Sequence, residues 1–276
     1  MSVLEGILLG VLQGIAEFLP ISSKAHQSLM HYLFGTQTRD AFQDLLIHIG
    51  ILLAILISTR EVLFRLYRDQ KMLFSTKRRK GRTMRSRSFY DLRLLKTATF
   101  PLLISLCLCL VTAKLEGNLL AIMSFLIINA IVLLFAEHSR HGNRDSRTMS
   151  GLDGIVLGIV GSLSVFPGIS RTGMTLSYSI IRGADKQSAF NWSILLGIPA
   201  VIFALCFDTF GVIGQGIPPV SFPVIAGYIL SGLTAFCGGY IGISSLQLFL
   251  NRSGVAGFAY YSIGTALFSF ILYLIT

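Results

Sequence analysis

The sequence predicts an all-α integral membrane protein with six transmembrane helices and two re-entrant helix-loop-helix hairpins in an inverted repeat. Of its 276 residues, 53% are hydrophobic and only 13% are charged, whereas a soluble domain carries about 25% charged residues. The apolar residues also occur in runs of about 20, the length at which a helix crosses a bilayer core. The third observation is a pair of similar polar loops, one in each half of the chain.

Six stretches are long and apolar enough to span the membrane. They are residues 41–60, 93–113, 118–137, 187–207, 221–242 and 255–275. Two other apolar stretches, 2–19 and 151–166, run into loops rich in Pro, Gly and Ser, and short helical segments follow at 24–35 and 172–182. Since Pro and Gly stop a helix and a half-length helix cannot cross the bilayer, each unit is predicted to enter the membrane and return.

The two hairpins are alike at a constant offset of 148 residues, from Leu9 to Leu157 and from Ser23 to Arg171. Three predicted spans follow each hairpin, and because three is odd, the second copy must be inverted relative to the first. We therefore treat residues 1–276 as a single membrane domain made of inverted halves, 1–148 and 149–276. In this plan, two broken helices converge near the bilayer midplane and form a site there.

Basic residues are concentrated in short segments rather than on a separate domain. The chain has a net charge of +10, and the segment Arg60–Lys96 contains 13 of its 23 Lys and Arg residues. Basic loops face the cytoplasm, and with this segment inside, the later basic positions also fall inside: Arg140, Arg144, Arg147, Arg182, Lys186 and Arg252. The first hairpin then enters from outside, so we expect a site that opens to the extracytoplasmic side. This placement argues against nucleic acid as a partner and favours membrane lipids.

The first loop brings several reactive groups together within 14 residues, QGIAEFLPISSKAH at positions 13–26. Gln13 and Glu17 are four residues apart and share one face of a helix. Ser22 or Ser23 can cap the helix that follows, and the N-terminus of that helix favours an anion. The candidate site residues of this loop are Gln13, Glu17, Ser22, Ser23, Lys24 and His26.

The second loop, PGISRTG at positions 167–173, repeats the arrangement with a guanidinium. Ser170 and Thr172 can cap the next helix, and Gly173 lets the backbone approach a ligand. Arg171 presents a planar fork that matches phosphate oxygens. Two helix N-termini together with Arg171 and Lys24 favour a strongly anionic ligand, such as a diphosphate, over a cation.

Ionisable residues at membrane depth also have structural interpretations. Arg171 and Glu17 could pair only to hold the fold together. Asp44 and His48, four residues apart on span 41–60, are a candidate pair near the mouth of the site. Because such groups are costly inside a membrane, a functional role is the default expectation.

Together the two loops resemble the signatures of the undecaprenyl-diphosphate phosphatases, the bacitracin-resistance family. The first signature is a Glu or Gln followed four residues on by Glu, and then Pro-x-Ser-Ser-x-Gly-His. The second signature is Pro-Gly-x-Ser-Arg-Ser-Gly. The resemblance covers essentially the whole chain. It implies a multi-pass enzyme of the bacterial cytoplasmic membrane that removes the terminal phosphate of undecaprenyl diphosphate. This reaction recycles the lipid carrier for cell-wall synthesis and confers bacitracin resistance.

The resemblance also implies roles for individual residues. Gln13 and Glu17 match an acidic motif that would hold a divalent cation, Mg²⁺ or Ca²⁺. Ser23 and His26 match the reactive pair, either of which could attack phosphorus or activate water, and Arg171 matches the phosphate-binding arginine. The expected substrate-binding residues are Ser22, Lys24, Ser170, Thr172 and Gly173.

Four positions depart from the family pattern. Lys24-Ala25 replaces Thr-Gly, Gln13 replaces a Glu, and Gly161 replaces a Gln. Lys24 could hold a phosphate or take part of the metal's role, or it could mark an altered substrate or lost catalysis. A transporter or flippase of polyprenyl phosphate lipids is therefore the alternative function. The oligomeric state is open, with a homodimer as one candidate.

Overall fold

The fold of the chain is described here from a computed structural model, which covers residues 3–35, 40–76, 87–139, 142–216 and 221–275. Within these ranges the secondary structure is helical, apart from one isolated bridge between Arg144 and Ala184. The predicted all-α class is therefore confirmed for the described part of the chain. The α-helices are α1 (Val3–Phe18), α2 (Ser23–Phe34), α3 (Ala41–Ser58), α4 (Arg60–Thr76), α5 (Arg87–Leu102), α6 (Ile104–Thr112), α7 (Leu119–Glu137), α8 (Gly151–Ser162), α9 (Arg171–Ile181), α10 (Lys186–Leu195), α11 (Gly197–Gln215), α12 (Phe222–Arg252) and α13 (Ala256–Ile275).

Five helical stretches are long and apolar enough to cross a membrane, judged by length and composition. They are Ala41–Ser58, Leu119–Glu137, Lys186–Gly214, Phe222–Arg252 and Ala256–Ile275. The third of them joins α10 and α11 end to end. These five correspond to five of the six predicted spans, and the chain is a multi-pass membrane protein.

The remaining predicted span, 93–113, is not one continuous helix. α5 ends at Leu102 and α6 begins at Ile104. Pro101 lies inside α5, and a proline lacks a backbone donor and crowds the preceding turn, which weakens the helix just before the interruption. The sixth span therefore stays a prediction.

The basic segment between Arg60 and Lys96 also differs from the loop that was expected. It begins with a helix, α4, and its last residues belong to α5. Residues 77–86, which include Lys77, Arg78, Arg79, Lys80, Arg82 and Arg85, lie outside the described residues.

Glycines hold each hairpin against a long partner helix. A Cβ atom added to Gly10 of α1 would lie 2.2 Å from the carbonyl oxygen of Ser231 in α12. A Cβ atom on Gly158 of α8 would likewise lie 2.1 Å from the carbonyl oxygen of Ala98 in α5. Small residues permit this backbone-to-backbone approach in membrane bundles. The first helix of each hairpin therefore packs in the same manner.

Several of the later basic residues gather at one end of the bundle. Arg144 donates to the carbonyl oxygen of Arg182 at 3.1 Å, and Lys186 Nζ donates to the carbonyl oxygen of Leu250 at 3.0 Å. This grouping agrees with a single basic face on one side of the membrane. Arg140 lies outside the described residues.

A capping box closes the N-terminus of α8 at this end. Ser150 Oγ accepts from the Asp153 amide at 3.1 Å, and Asp153 Oδ2 accepts from the Ser150 amide at 2.8 Å. Burial alone would raise the pKa of the Asp153 carboxyl, but the Ser150 donors and the Arg182 guanidinium lower this pKa to about 2. The carboxylate is therefore charged at neutral pH and fixes the start of the second hairpin.

The close approach of α1 to α12 predicts that Gly10→Ala destabilises the protein by about 1–3 kcal/mol, because the added methyl has no space. Gly264→Ala in α13 is the matched control, since its Cβ would meet nothing within 4 Å. Thermal unfolding in detergent measures both variants. Equal melting temperatures for the two would contradict the described packing.

Candidate active site

Side chains of the second loop bind the backbone of the first. Thr172 Oγ1 donates to the carbonyl oxygen of Glu17 at 3.2 Å, and Ser170 Oγ donates to that of Leu19 at 3.2 Å. These carbonyl oxygens lie at the broken end of α1, where the helix itself supplies no amide for them. The Leu19 carbonyl oxygen also accepts from the Ile21 amide at 2.8 Å. The two loops therefore contact each other, as the repeat predicts.

Ser22 connects the loops from the other direction. It caps α2 by accepting from the Ala25 amide at 3.4 Å, and it accepts the Gly168 amide of the second loop at 3.0 Å. Its backbone has φ 69° and ψ 99°, a region that residues other than glycine seldom adopt. Such strain persists only where the surroundings impose it, and it is common at functional sites.

Asn129 of α7 bridges the two loops from behind. Its amide nitrogen donates to the carbonyl oxygen of Pro20 at 2.9 Å, and its amide oxygen accepts from the Ser170 backbone at 3.0 Å. The residue is only 1% exposed. Asn129 therefore has a structural role, and the residues that it joins are 109 and 41 positions away in the sequence.

Glu17, Ser23 and Arg171 form one hydrogen-bonded group. Ser23 Oγ donates to Glu17 Oε2 at 2.6 Å. The Arg171 guanidinium lies 3.4 Å from Glu17 Oε1 and donates to the carbonyl oxygen of Ser193 at 2.9 Å. The Arg171 and Glu17 side chains are 4% and 15% exposed. A carboxylate that accepts a serine hydroxyl at this distance is placed to take its proton.

Ser23 and Arg171 occupy equivalent positions in the two halves. Each is the first residue of its helix, α2 or α9, and each follows a serine cap, Ser22 or Ser170. The first amides of a helix have no partner within it and carry the positive end of its dipole. Two such helix ends therefore begin beside the same carboxylate and favour an anion between them.

This group faces a cavity of about 140 Å³. Lys24 stands in its wall with its side chain 29% exposed, and its ammonium donates to Glu116 Oε1 and to the Val165 carbonyl oxygen, both at 3.3 Å. The predicted site residues that line the cavity are Gln13, Glu17, Ser23, Lys24, Ser170 and Arg171. A guanidinium, an ammonium and two helix ends therefore face this space, together with the carboxylates of Glu17, Glu116 and Asp208.

His26 lies outside this group. One ring nitrogen, Nδ1, contacts the Ser22 carbonyl oxygen at 2.8 Å, and Nε2 contacts the Tyr261 hydroxyl at 2.8 Å. The ring also stacks on Tyr261, with centroids 5.6 Å apart. It lines a separate apolar groove of about 640 Å³ between α1 and the α12–α13 junction. The structure does not bring His26 to the Ser23 hydroxyl, although three residues separate them in sequence.

Three of the predicted substrate-binding residues have structural contacts instead. Ser22 and Thr172 join the loops as described above, and the Gly173 amide donates to Ser170 Oγ at 3.1 Å in the cap of α9. These residues do not line the cavity among the residues described. Their hydrogen bonds to other protein groups hold Ser23 and Arg171 in position.

The sequence interpretation missed a second polar pair in the cavity wall. His48 Nδ1 lies 2.6 Å from Asp208 Oδ2, and both residues line the cavity. Asp44, which was expected to pair with His48, accepts from Gln27 Nε2 at 2.7 Å. The presence of an ionisable residue, His48, inside an apolar span was the one sequence feature that pointed to this pair. Its partner could not be predicted because Asp208 lies 160 residues away.

A family model described as Bacitracin resistance protein BacA matches residues 6–268. The chain belongs to this family. The resemblance noted from the two loop signatures is thus confirmed, and it extends over nearly the whole chain.

Individual relatives share about 30% of their residues with the chain over most of its length. The undecaprenyl-diphosphatase of Thermosipho africanus is 30% identical over 268 residues, which is 96% of this chain and 98% of the relative. The undecaprenyl-diphosphatase of Alkaliphilus metalliredigens is 29% identical over 266 residues, 95% of each chain. Undecaprenyl-diphosphatase 2 of Halalkalibacterium halodurans is 29% identical over 275 residues, 99% and 97% of the two chains.

The bridging contacts of Asn129 predict that Asn129→Ala costs on the order of 1–3 kcal/mol for each buried group left without a partner. Asn191→Ala is the control, because the half-buried Asn191 of α10 makes only a solvent-exposed hydrogen bond with Gln187 among the hydrogen bonds described. We expect that control to stay within about 0.5 kcal/mol of the wild type. Melting curves in one detergent compare the two, and an unaffected Asn129→Ala variant would refute the bridging role.

Proposed function

We propose that this protein hydrolyses undecaprenyl diphosphate to undecaprenyl phosphate and inorganic phosphate, which recycles the lipid carrier for cell-wall synthesis. The names of the relatives support this substrate. The observation that carries the proposal is the Ser23–Glu17 hydrogen bond of 2.6 Å beside the Arg171 guanidinium, in a cavity whose wall also contains the Lys24 ammonium. This arrangement combines a nucleophile, a base and an anion site.

Ser23 is the proposed nucleophile. Its Oγ attacks the terminal phosphorus while its proton passes to Glu17 Oε2, and the bond from phosphorus to the lipid phosphate oxygen breaks. Arg171, Lys24 and the N-termini of α2 and α9 neutralise the charge that develops on the phosphate oxygens. Since phosphoryl transfer depends mainly on positioning and charge neutralisation, these groups account for most of the expected rate enhancement.

Geometry favours Ser23 over His26 as the attacking group. Both ring nitrogens of His26 have partners outside the cavity, Ser22 and Tyr261. The retained nucleophile and base also favour hydrolysis over the alternative function, transport of a polyprenyl phosphate lipid. A flippase needs the anion site but has no need for a serine hydroxyl held by a carboxylate.

A divalent cation, Mg²⁺ or Ca²⁺, fits this site if protein oxygens and the phosphates of the substrate bind it together. The buried Gln13 Oε1 atom has no hydrogen-bond partner among the described residues, and it lines the cavity with Glu17. In the described part of the chain, no three His, Cys, Asp or Glu residues cluster as a metal site. Mg²⁺ is commonly bound by one or two protein oxygens and substrate phosphates. When bound, it would neutralise phosphate charge, with Gln13 and Glu17 as its protein ligands.

The proposed architecture is six spans and two re-entrant hairpins in one domain, 1–276, with inverted halves 1–148 and 149–276. The glycine-mediated packing of α1 and α8 supports the repeat. We propose that the site opens to the extracytoplasmic side of the bacterial cytoplasmic membrane. The partner of Lys24, Glu116, supports this orientation. It lies between the predicted spans 93–113 and 118–137, on the side of the membrane opposite to the basic segment Arg60–Lys96. The homodimer stays a prediction.

Phosphate release from undecaprenyl diphosphate by purified protein, with and without Mg²⁺, tests the function. We expect Glu17→Gln and Arg171→Ala to lower turnover by at least about 100-fold, because each removes transition-state charge stabilisation or the base. Glu61→Gln, which alters an exposed carboxylate on α4, should leave turnover unchanged. Normal turnover by folded Arg171→Ala would refute the site. No release by folded, lipid-binding wild type would favour the flippase.

Trapping the reaction intermediate tests the nucleophile. With substrate labelled at the terminal phosphate, we expect rapidly quenched wild type to carry acid-stable label on Ser23. Phosphoserine survives acid, whereas phosphohistidine does not. Ser23→Ala should carry no label, and His26→Gln should retain it. Label that is lost in acid, or that persists in Ser23→Ala, would instead identify another nucleophile.

A further inference from the structure

The pair formed by His48 of α3 and Asp208 of α11 lies outside both loops. The His48 Nδ1 atom and the Asp208 Oδ2 atom are 2.6 Å apart, and the two side chains are 9% and 1% exposed. Both residues line the cavity that contains Glu17, Ser23 and Arg171. Two ionisable groups at this depth are costly, which makes a role in the site the default expectation.

A purely structural bridge between two helices would account for only part of this arrangement. α3 and α11 already contact each other along apolar faces. The His48 ring uses one nitrogen for Asp208, and no hydrogen bond to its Nε2 atom is formed by the residues that the structure describes. A carboxylate that binds one imidazole nitrogen fixes the tautomer and orientation of the ring. With Nδ1–H donated to Asp208, the Nε2 lone pair is available to a group in the cavity.

The charged groups around His48 also suit a proton acceptor. Besides Asp208, the carboxylates of Asp44 on α3 and Glu17 on α1 are close enough to act on the ring electrostatically. Burial opposes a positive charge on the imidazole, whereas these carboxylates favour it. Asp208 and Asp44 continue to do so while Glu17 holds the proton of the serine. A proton taken up at Nε2 would therefore be held between carboxylates instead of remaining uncompensated in an apolar bundle.

The proposed reaction requires a second base, because Glu17 cannot activate the water that completes the hydrolysis. When Ser23 attacks, Glu17 takes the hydroxyl proton, and the departing lipid phosphate is a stable anion that does not require it. Glu17 therefore holds a proton while the phosphate is attached to Ser23. It must return that proton to Ser23 Oγ when the serine leaves. A different base has to activate the water that completes the hydrolysis.

We propose that His48, positioned by Asp208, is this second base. A water loses its proton to His48 Nε2 and attacks the phosphorus of the Ser23 phosphoester. The bond from phosphorus to Ser23 Oγ breaks, Oγ regains the proton from Glu17, and inorganic phosphate departs. In-line displacement places the water opposite Ser23 Oγ, so the base must come from a part of the cavity wall other than α1 and α2. α3 and α11 supply it. This inference depends on the proposed serine nucleophile.

Rapid-quench kinetics with terminally labelled substrate separates the two steps by measuring undecaprenyl phosphate and inorganic phosphate independently. For His48→Ala we expect a burst of undecaprenyl phosphate approaching one per enzyme, with phosphate release slowed by at least about 100-fold. Acid-stable label should accumulate on Ser23. Asp208→Asn should show the same accumulation to a smaller degree, because its His48 is misoriented rather than absent. His138→Gln, an exposed histidine at the end of α7, should behave as wild type.

Imidazole added to His48→Ala provides a readout that a structural role would not change. We expect it to restore phosphate release from the labelled enzyme in a concentration-dependent manner. If His48→Ala unfolds in detergent, His48→Gln and Asp208→Asn carry the same burst measurement. Slow turnover without accumulated label, or turnover equal to wild type, would overturn the inference. Absence of label on Ser23 in the wild type would instead overturn the proposed nucleophile, so the two failures are distinguishable.

Discussion

Irregular backbone at the centre of an apolar bundle must find its hydrogen bonds within the protein, because lipid offers none. The broken end of α1 meets this requirement through Thr172 and Ser170, which bind the carbonyl oxygens of Glu17 and Leu19. Asn129 supplies two more bonds from α7. The contacts that satisfy the backbone are also those that hold the carboxylate, the hydroxyl and the guanidinium in one place. Fold and site therefore depend on the same few polar side chains.

Much of this arrangement could be predicted from the chain alone, because it is local in sequence. Helix ends at Pro and Gly, the serine caps Ser22 and Ser170, and the four-residue spacing of Gln13 and Glu17 follow from short-range rules. The constant offset between the loops predicts that Ser23 and Arg171 lie at the same site. The break between α5 and α6 was missed, although Pro101 was a visible reason for it.

The direction of side chains could not be predicted, because distant neighbours decide it. His26 belongs to the short helix that carries Ser23, yet its ring turns to Tyr261, 235 residues away. His48 likewise joins Asp208 rather than Asp44, the residue one turn away. Helical spacing states which residues share a face. It does not state which of several neighbouring helices that face will contact. These contacts decide whether a histidine lines the cavity, as His48 does, or the separate groove, as His26 does.

The equivalence of Ser23 and Arg171 has an evolutionary consequence. A duplicated hairpin that kept one sequence would present two hydroxyls or two guanidiniums at the junction. In the proposed reaction each half instead supplies what the other lacks, and the position matching Glu17 is occupied by Val165. In the proposed repeat the halves are therefore specialised, and neither carries the complete set of reacting groups on its own. Because both halves belong to one polypeptide, they are always present in a one-to-one ratio. A catalytic group that one half retains is therefore not required in the other.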